Sequence, residues 1–269
     1  MKPAKLPIQF QQVSPGNWDR VLSEVIVETP VSLTVNGDPW LTFMCTPVDL
    51  EAMAVGFLYN EGFIQTMDEV ADARLCPTGD NIDVWLHHSV QKPAFWRRTS
   101  GCTGGVTSVE KDEPGKLITN GGVLSAESVG QLINHLFETQ ELYRSSGGVH
   151  TSAITDGQDT WVVAEDIGRH NTLDKLAGKC LMQGVQFSRK IILTTGRISS
   201  EMLQKSSHMK ASIVISRTSP SSLSIELAQK WGLTLIGYAR RNRFNIYTHP
   251  ERIVLSKESY DAEKEPIFV

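Results

Sequence analysis

The sequence predicts a mixed α/β protein in which a small α+β portion precedes a larger mixed sheet covered by helices. Three observations predict it. Beyond Gly122, apolar stripes at helical spacing alternate with short runs of β-branched residues. Ahead of Glu110 the chain reads as mostly extended, with one helical stretch. Between them, Glu110–Gly122 is polar and carries Gly and Pro, which sets the division into residues 1–115 and 116–269.

In the first part, Val25–Glu28 and Ser32–Val35 read as strands on either side of Thr29-Pro30, and Asn36-Gly37 as a hairpin turn before Trp40–Cys45. Pro47 and Asp49 introduce a helix with Leu50, Met53, Ala54, Phe57 and Leu58 on one apolar face, stopped at Gly62. Asn81–His87 alternates as a strand does.

In the second part, Ser125 caps a helix whose stripe is Val129, Leu132, Ile133, Leu136 and Phe137, ending near Gly147-Gly148. Val149–Thr155 and Thr160–Ala164 are strands joined by Asp156-Gly157. Asn171 is expected to cap the next helix, which carries Leu173, Leu176, Ala177 and Cys180. A buried strand Ile191–Thr195, a helix from about Ser200, and a strand Ser212–Ser216 follow. Pro220 suits the first turn of a helix ending at Gly232, and Leu233–Tyr238 and Phe244–Tyr247 close as strands.

Composition narrows the function. Hydrophobic residues are 40% and charged residues 21% of the 269, too apolar for a disordered chain. A net charge of -4 supplies no general basic field, so nucleic acid is not an expected partner and any anion site must be local. Met1–Phe10 has no signal-peptide core, and no apolar run nears the roughly 20 residues that cross a bilayer. The four cysteines, Cys45, Cys76, Cys102 and Cys180, contain no C-x-x-C, which argues against a zinc ribbon or a disulfide framework. A reducing cytoplasm without membrane attachment is the expected location.

Two strand-to-helix turns stand out, Ile167–Asn171 with Gly168, Arg169, His170 and Asn171, and Thr194–Ser200 with Gly196 and Arg197. Ligands of open α/β sheets bind beyond the strand carboxyl ends, where free N–H groups and an arginine fork favour phosphate. The competing interpretation is a surface arginine paired with a carboxylate. A third basic segment, Tyr238, Ala239, Arg240, Arg241, Asn242 and Arg243, follows the penultimate strand and reads either as a phosphate clamp with a stacking tyrosine or as a solvated turn. Cys102, in R-R-T-S-G-C-T-G-G, is a candidate nucleophile with Arg97 and Arg98 upstream to favour the thiolate, against an inert loop cysteine. Cys45 and Cys180 fall in apolar patterns. His150 and His170 lack the H-E-x-x-H or H-x-E…P-C-x-x-C context of a zinc site, so no metal ligands are assigned. No G-x-S-x-G elbow is present.

Ordered blocks run from about Glu28 to Pro250: E-T-P-V-S-L-T-V-N-G at Glu28–Gly37, T-P-x-D-L at Thr46–Leu50, G-F-L-Y-N-E-G at Gly56–Gly62, S-G-C-T-G-G at Ser100–Gly105, G-G-V-H at Gly147–His150, E-D-I-G-R-H-N-T-L-D-K-L at Glu165–Leu176, T-G-R-I-S-S-E-M-L-Q-K at Thr195–Lys205 and R-x-R-F-N-I-Y-T at Arg241–Thr248. On these the chain resembles the formate dehydrogenase accessory sulfurtransferase family (FdhD/NarQ). The resemblance implies a cytidine-deaminase-like C-terminal domain without the zinc chemistry. It implies a sulfurtransferase that takes persulfide sulfur from a cysteine desulfurase on Cys102 and passes it to the molybdenum bis-guanine-dinucleotide cofactor of the formate dehydrogenase catalytic subunit. Tyr238–Arg243 would contact the dinucleotide, the two Gly-Arg turns would line the same pocket, and the protein would be a homodimer. One departure stands: many members carry C-x-x-C at the loop, and Gly105 takes the second place here. A single thiolate still suffices for relay. The alternative is a non-catalytic chaperone that binds the same molybdenum cofactor.

Overall fold

The computed structural model describes residues 2–98, 106–108, 122–158, 161–185 and 190–255. Cys102 and the division at residues 115 and 116 lie outside the described residues. The chain opens with a hairpin of β1 (Lys5–Ser14) and β2 (Asn17–Ile26), turning at Pro15-Gly16. The strand reading at Val25 covered only its last residues. Nearly all its side chains face solvent, Trp18 at 72% and Leu22 at 75%, so no buried face imposes alternation on the sequence.

Next come β3 (Thr29–Val35) and β4 (Asp38–Cys45), joined through Asn36 and Gly37 at φ 49° and 83°. Both central residues are left-handed, as a type I′ turn demands and Asn-Gly supplies. Pro30 sits inside β3 rather than ahead of it. It is tolerated because β3 meets its second neighbour only from Ser32 onward. The helix α1 (Leu50–Asn60) was read with one apolar face, yet Ala52, Val55 and Gly56 are buried too. It touches β5 (Val70–Leu75) and β6 (Asn81–Leu86) as well as two helices of the second half, so it has no solvent side. Strands β4-β3-β6-β5 form one sheet. A separate two-stranded ribbon pairs β7 (Trp96–Arg98) with β8 (Val106–Ser108).

The second half begins with β9 (Leu124–Ser125) and α2 (Ala126–Glu138), whose cap Ser125 accepts a bond from Ser128 N at 3.0 Å. The helix covers the whole stripe but ends at Glu138, not near Gly147-Gly148. A separate α3 (Glu141–Ser146) follows, and the left-handed Gly147 terminates that one. Then come β10 (His150–Thr155), β11 (Trp161–Asp166), α4 (Arg169–Met182), β12 (Ile191–Thr194), α5 (Ser200–His208), β13 (Ile213–Ser216), α6 (Ser222–Trp231), β14 (Thr234–Gly237), β15 (Asn245–Thr248) and β16 (Ile253–Val254). The cap of α4 is Gly168, not Asn171, and Pro220 precedes the cap Ser221 of α6.

The main sheet runs β11-β10-β12-β13-β14-β15, with β12, β13 and β14 parallel and the other pairings antiparallel. Ile192, Val214 and Leu235 face α4, α5 and α6, while Ile191, Leu193, Ile213 and Ile215 face α2. Burial on both faces is why these strands read as unbroken apolar runs. Among the described residues no helix is long and apolar enough to cross a membrane.

Two glycines let α1 and α4 cross. A Cβ on Gly56 would stand 1.8 Å from Asp174 O, and one on Gly178 would stand 1.8 Å from Ala52 O. The helix backbones touch there, joining the core around α1 to the core around α4.

Candidate functional site

Strands β11 to β14 deliver their carboxyl ends to one rim of the sheet, and a cleft of about 500 Å³ opens there, of nucleotide size. Ile167 after β11, Thr195 after β12, Arg217 after β13 and Arg240 after β14 line it, with His150 at the start of β10. Phe137 of α2 and Tyr143 of α3 form the facing wall. No Asp or Glu is among its described lining residues, and Arg217 and Arg240 bring two guanidinium groups to it.

The wall is fixed by Glu165, 8% exposed, at the end of β11. Its carboxylate accepts the amide protons of Glu141, Leu142 and Tyr143 at 2.9, 2.7 and 3.1 Å, and the Thr151 hydroxyl at 3.1 Å. These are the unpaired N–H groups of the first turn of α3, and the negative charge suits that end of a helix. Arg217 lies over the Phe137 ring at 4.3 Å. Burial and the neighbouring Arg240 hold Arg217 below its ordinary value. Arg240 Nη1 donates to Arg217 O and Ala239 O at 2.7 and 2.9 Å, which orients the fork beside the cleft.

The turn Tyr238–Arg243 is anchored from three sides. Tyr238, at φ 51°, and the buried Ala239 donate their N–H to Thr218 O and Ser216 O at 3.0 and 2.9 Å. Arg240 N closes on Arg243 O at 2.8 Å. A Cβ on Gly130 of α2 would come within 2.1 Å of Arg241 O, so that glycine admits the turn's backbone. Of this segment only Arg240 lines the cleft; Tyr238, Arg241, Asn242 and Arg243 are exposed outside it.

The two Gly-Arg turns touch each other. A Cβ on Gly196 would meet Arg169 Cβ at 2.9 Å, and His170 Nε2 stands 3.4 Å from Ser199 Oγ. Arg169, His170 and Asn171 are buried, Arg197 is exposed, and it is Ile167 and Thr195, just ahead of the glycines, that reach the cleft. Burial, with Arg169, Lys205 and His150 adding to it, pushes His170 down to about 3, so it is neutral. His150 is also held below its ordinary value, by burial first and then by Arg169; its Nδ1 is 3.3 Å from Thr195 Oγ1.

Behind the rim lies a buried ion pair. Lys175 Nζ donates to Asp166 Oδ2 at 2.6 Å, to Thr46 O at 3.1 Å and to Glu165 O at 3.2 Å. Asp166 also accepts from Thr46 N at 3.0 Å, Gly168 N at 2.7 Å and Asn171 Nδ2 at 2.8 Å. Asn171, expected as the cap, instead donates its amide to Asp166 and to Met44 O at 2.9 Å, while Asp166 takes the N–H of the cap residue Gly168. The network ties the β4–α1 junction to the rim turn.

Residues 26–254 match the model of the FdhD/NarQ family. The chain belongs to that family. It is 34% identical over 244 residues to the sulfur carrier protein FdhD of Bacillus subtilis (strain 168), across 88% of this chain and 93% of the relative. It is 32% identical over 248 residues to the sulfur carrier protein FdhD of Geobacillus kaustophilus (strain HTA426), across 89% and 94%. A crystal structure from Desulfotalea psychrophila, provisionally named a formate dehydrogenase accessory protein, superposes with a TM-score of 0.80 at 29% identity, covering 94% of this family member and 100% of that chain.

Sequence reasoning missed Arg217, Phe137 and Tyr143. The turn Ser216–Ser221 has the same strand–arginine–helix order as the turns at Gly168 and Gly196 but lacks the glycine that marks them.

Proposed function

We propose that this FdhD/NarQ member is a sulfur carrier serving formate dehydrogenase, with the cleft holding the guanine-dinucleotide end of a molybdenum cofactor as substrate. The observation that carries it is the convergence of Arg217 and Arg240 on a cleft at the strand ends with no carboxylate among its described lining residues. Anionic phosphates suit two guanidinium forks, and a planar base suits the Arg217–Phe137 shelf. The names of the relatives supply the sulfur chemistry.

In this reading the Cys102 thiolate attacks the terminal sulfur of a cysteine desulfurase persulfide. A new S–S bond forms on Cys102 and the desulfurase cysteine leaves as thiolate. In onward transfer that bond breaks, the acceptor metal supplies the two electrons that make the sulfur a sulfido ligand, and Cys102 returns to thiolate. The partners are the desulfurase, the formate dehydrogenase catalytic subunit and a second copy of the chain, all in the cytoplasm. The division at residue 115 and a cytidine-deaminase-like larger part belong to the same reading.

Arg217→Ala and Arg240→Ala are each expected to weaken GDP binding about tenfold or more, since hydrogen bonds to charged groups are worth roughly 1.5–3 kcal/mol. Titration calorimetry of GDP against the full chain measures this, and unchanged affinity in both variants contradicts the cleft assignment. Gly105 at the second cysteine's place favours one rival, a carrier of intact cofactor that does no sulfur chemistry. Restoration of formate dehydrogenase activity by Cys102→Ala in a strain lacking this protein selects that rival.

A further inference from the structure

The blocks Gly56–Gly62 and Thr195–Lys205 meet in a buried charge cluster apart from the cleft. Lys205 Nζ donates to both oxygens of Asp174, at 2.7 and 2.9 Å, and stands 3.5 Å from Glu61 Oε1. Asn60 Nδ2 donates to Asp174 Oδ1 at 2.8 Å. All four residues are buried, from 1% to 6% exposed. Burial alone would lower the Lys205 amine, but Asp174 and Glu61 raise it above its ordinary value, so it stays cationic. Nothing in the cleft uses this cluster.

Its outer end makes a hydrogen bond to the ribbon. Glu61 Oε2 accepts from Thr107 Oγ1 at 3.0 Å, and Thr107 is the middle residue of β8. Among the described residues β8 pairs with β7 and with no other strand, so no further described sheet holds the ribbon. Two-stranded ribbons are marginal unless something else anchors them. On the β7 side the anchor is apolar: Trp96 lies 5.9 Å from Phe57 and 6.2 Å from Trp40. On the β8 side it is the bond from Thr107 to Glu61. The register sets Arg98 opposite Val106, so the two strands bracket residues 99–105, which include Cys102.

We propose that Thr107, held by Glu61 and Lys205, is a positioning residue for sulfur transfer, fixing the ribbon from which Cys102 is presented. The inference rests on the carrier role of Cys102. Attack on a persulfide needs aligned sulfur atoms, and misplacement by about 1 Å costs on the order of a hundredfold in rate. Loss of the Thr107 hydroxyl removes one donor from the buried Glu61 carboxylate, so a cost in stability accompanies the effect on rate, and the serine variant separates the two.

The test uses the full chain with a cysteine desulfurase and cysteine, following sulfur addition by intact mass over time. Thr107→Val and Thr107→Ala are expected to load roughly ten- to a hundredfold more slowly than the native chain. Thr107→Ser, which keeps the hydroxyl, is expected to load within about threefold of it with an unchanged melting temperature, and GDP affinity is expected to be unchanged in all three. Native-rate loading in Thr107→Ala overturns the proposal, as does equally slow loading in Thr107→Ser. The serine–alanine comparison stands even if the valine variant fails to fold. Cys102→Ala, run alongside, separates the two failures: sulfur loading without Cys102 overturns the carrier reading and this inference with it, whereas its loss together with native-rate Thr107→Ala overturns this inference alone.

Discussion

Asp166→Asn is expected to destabilise the protein by about 3–5 kcal/mol, because it leaves the fully buried ammonium of Lys175 without its counter-charge. The asparagine keeps the size of the side chain but not its acceptor capacity. One of the two positions that receive Lys175, Gly168, Thr46 and Asn171 becomes an NH2 donor facing other donors. For a chain of this size such a loss lowers the melting temperature by roughly 10 °C. The double variant Asp166→Asn, Lys175→Met is expected to cost less than Asp166→Asn alone, since the buried charge is then gone. Thermal and urea unfolding followed by circular dichroism measures both. If the single variant melts like the native chain, the pair does not hold the rim turn to the β4–α1 junction.

Gly178→Ala is the second large effect. In most exposed helix interiors this change gains about 1 kcal/mol. Here the added methyl would stand 1.8 Å from Ala52 O and 2.5 Å from Ala52 C, and the obstacle is backbone, which no rotamer change removes. The helices must separate, opening the seam between the two cores, and a net loss of about 3 kcal/mol or more is expected, beyond the ordinary cost of overpacking. Gly56→Ala, across the same crossing, is expected to do likewise. Urea midpoints at unchanged slope report it. A stabilised Gly178→Ala protein would mean that α1 and α4 do not touch through their backbones.

Local chemistry was legible where one residue type has one use. Asn36-Gly37 occupies two left-handed positions, and Ser125 caps α2 through its own hydroxyl. Unbroken apolar runs marked β12 and β13 because both faces of the sheet are covered. Elements set by distant partners were harder to read. The all-round burial of α1 follows from α4 packing on it, which the spacing of Leu50, Met53 and Phe57 does not encode. The β1–β2 hairpin has almost no buried face to leave a pattern. Asn171 reads as a cap in sequence, but the turn brings Asp166, five residues earlier, within reach of its amide, which donates there instead.

The site divides in the same way. That a cleft opens at the strand ends follows from sheet topology, and Arg240, which lines it, is legible from its sequence. The inward orientation of Arg169 and His170 depends on the contact between the two turns, where Gly196 admits the Arg169 side chain. Arg217 is harder to read because its turn needs no glycine, and Phe137, on the apolar stripe of α2, packs against the core and also carries the arginine at the cleft wall.

The central claim is that Cys102 carries sulfur. The most direct test is intact mass of the full chain after incubation with a cysteine desulfurase and cysteine, before and after thiol reductant. The native chain is expected to gain one sulfur, reversibly, and Cys102→Ala none, while Cys76→Ala and Cys180→Ala gain it as the native chain does. Undiminished sulfur addition in Cys102→Ala would contradict the account.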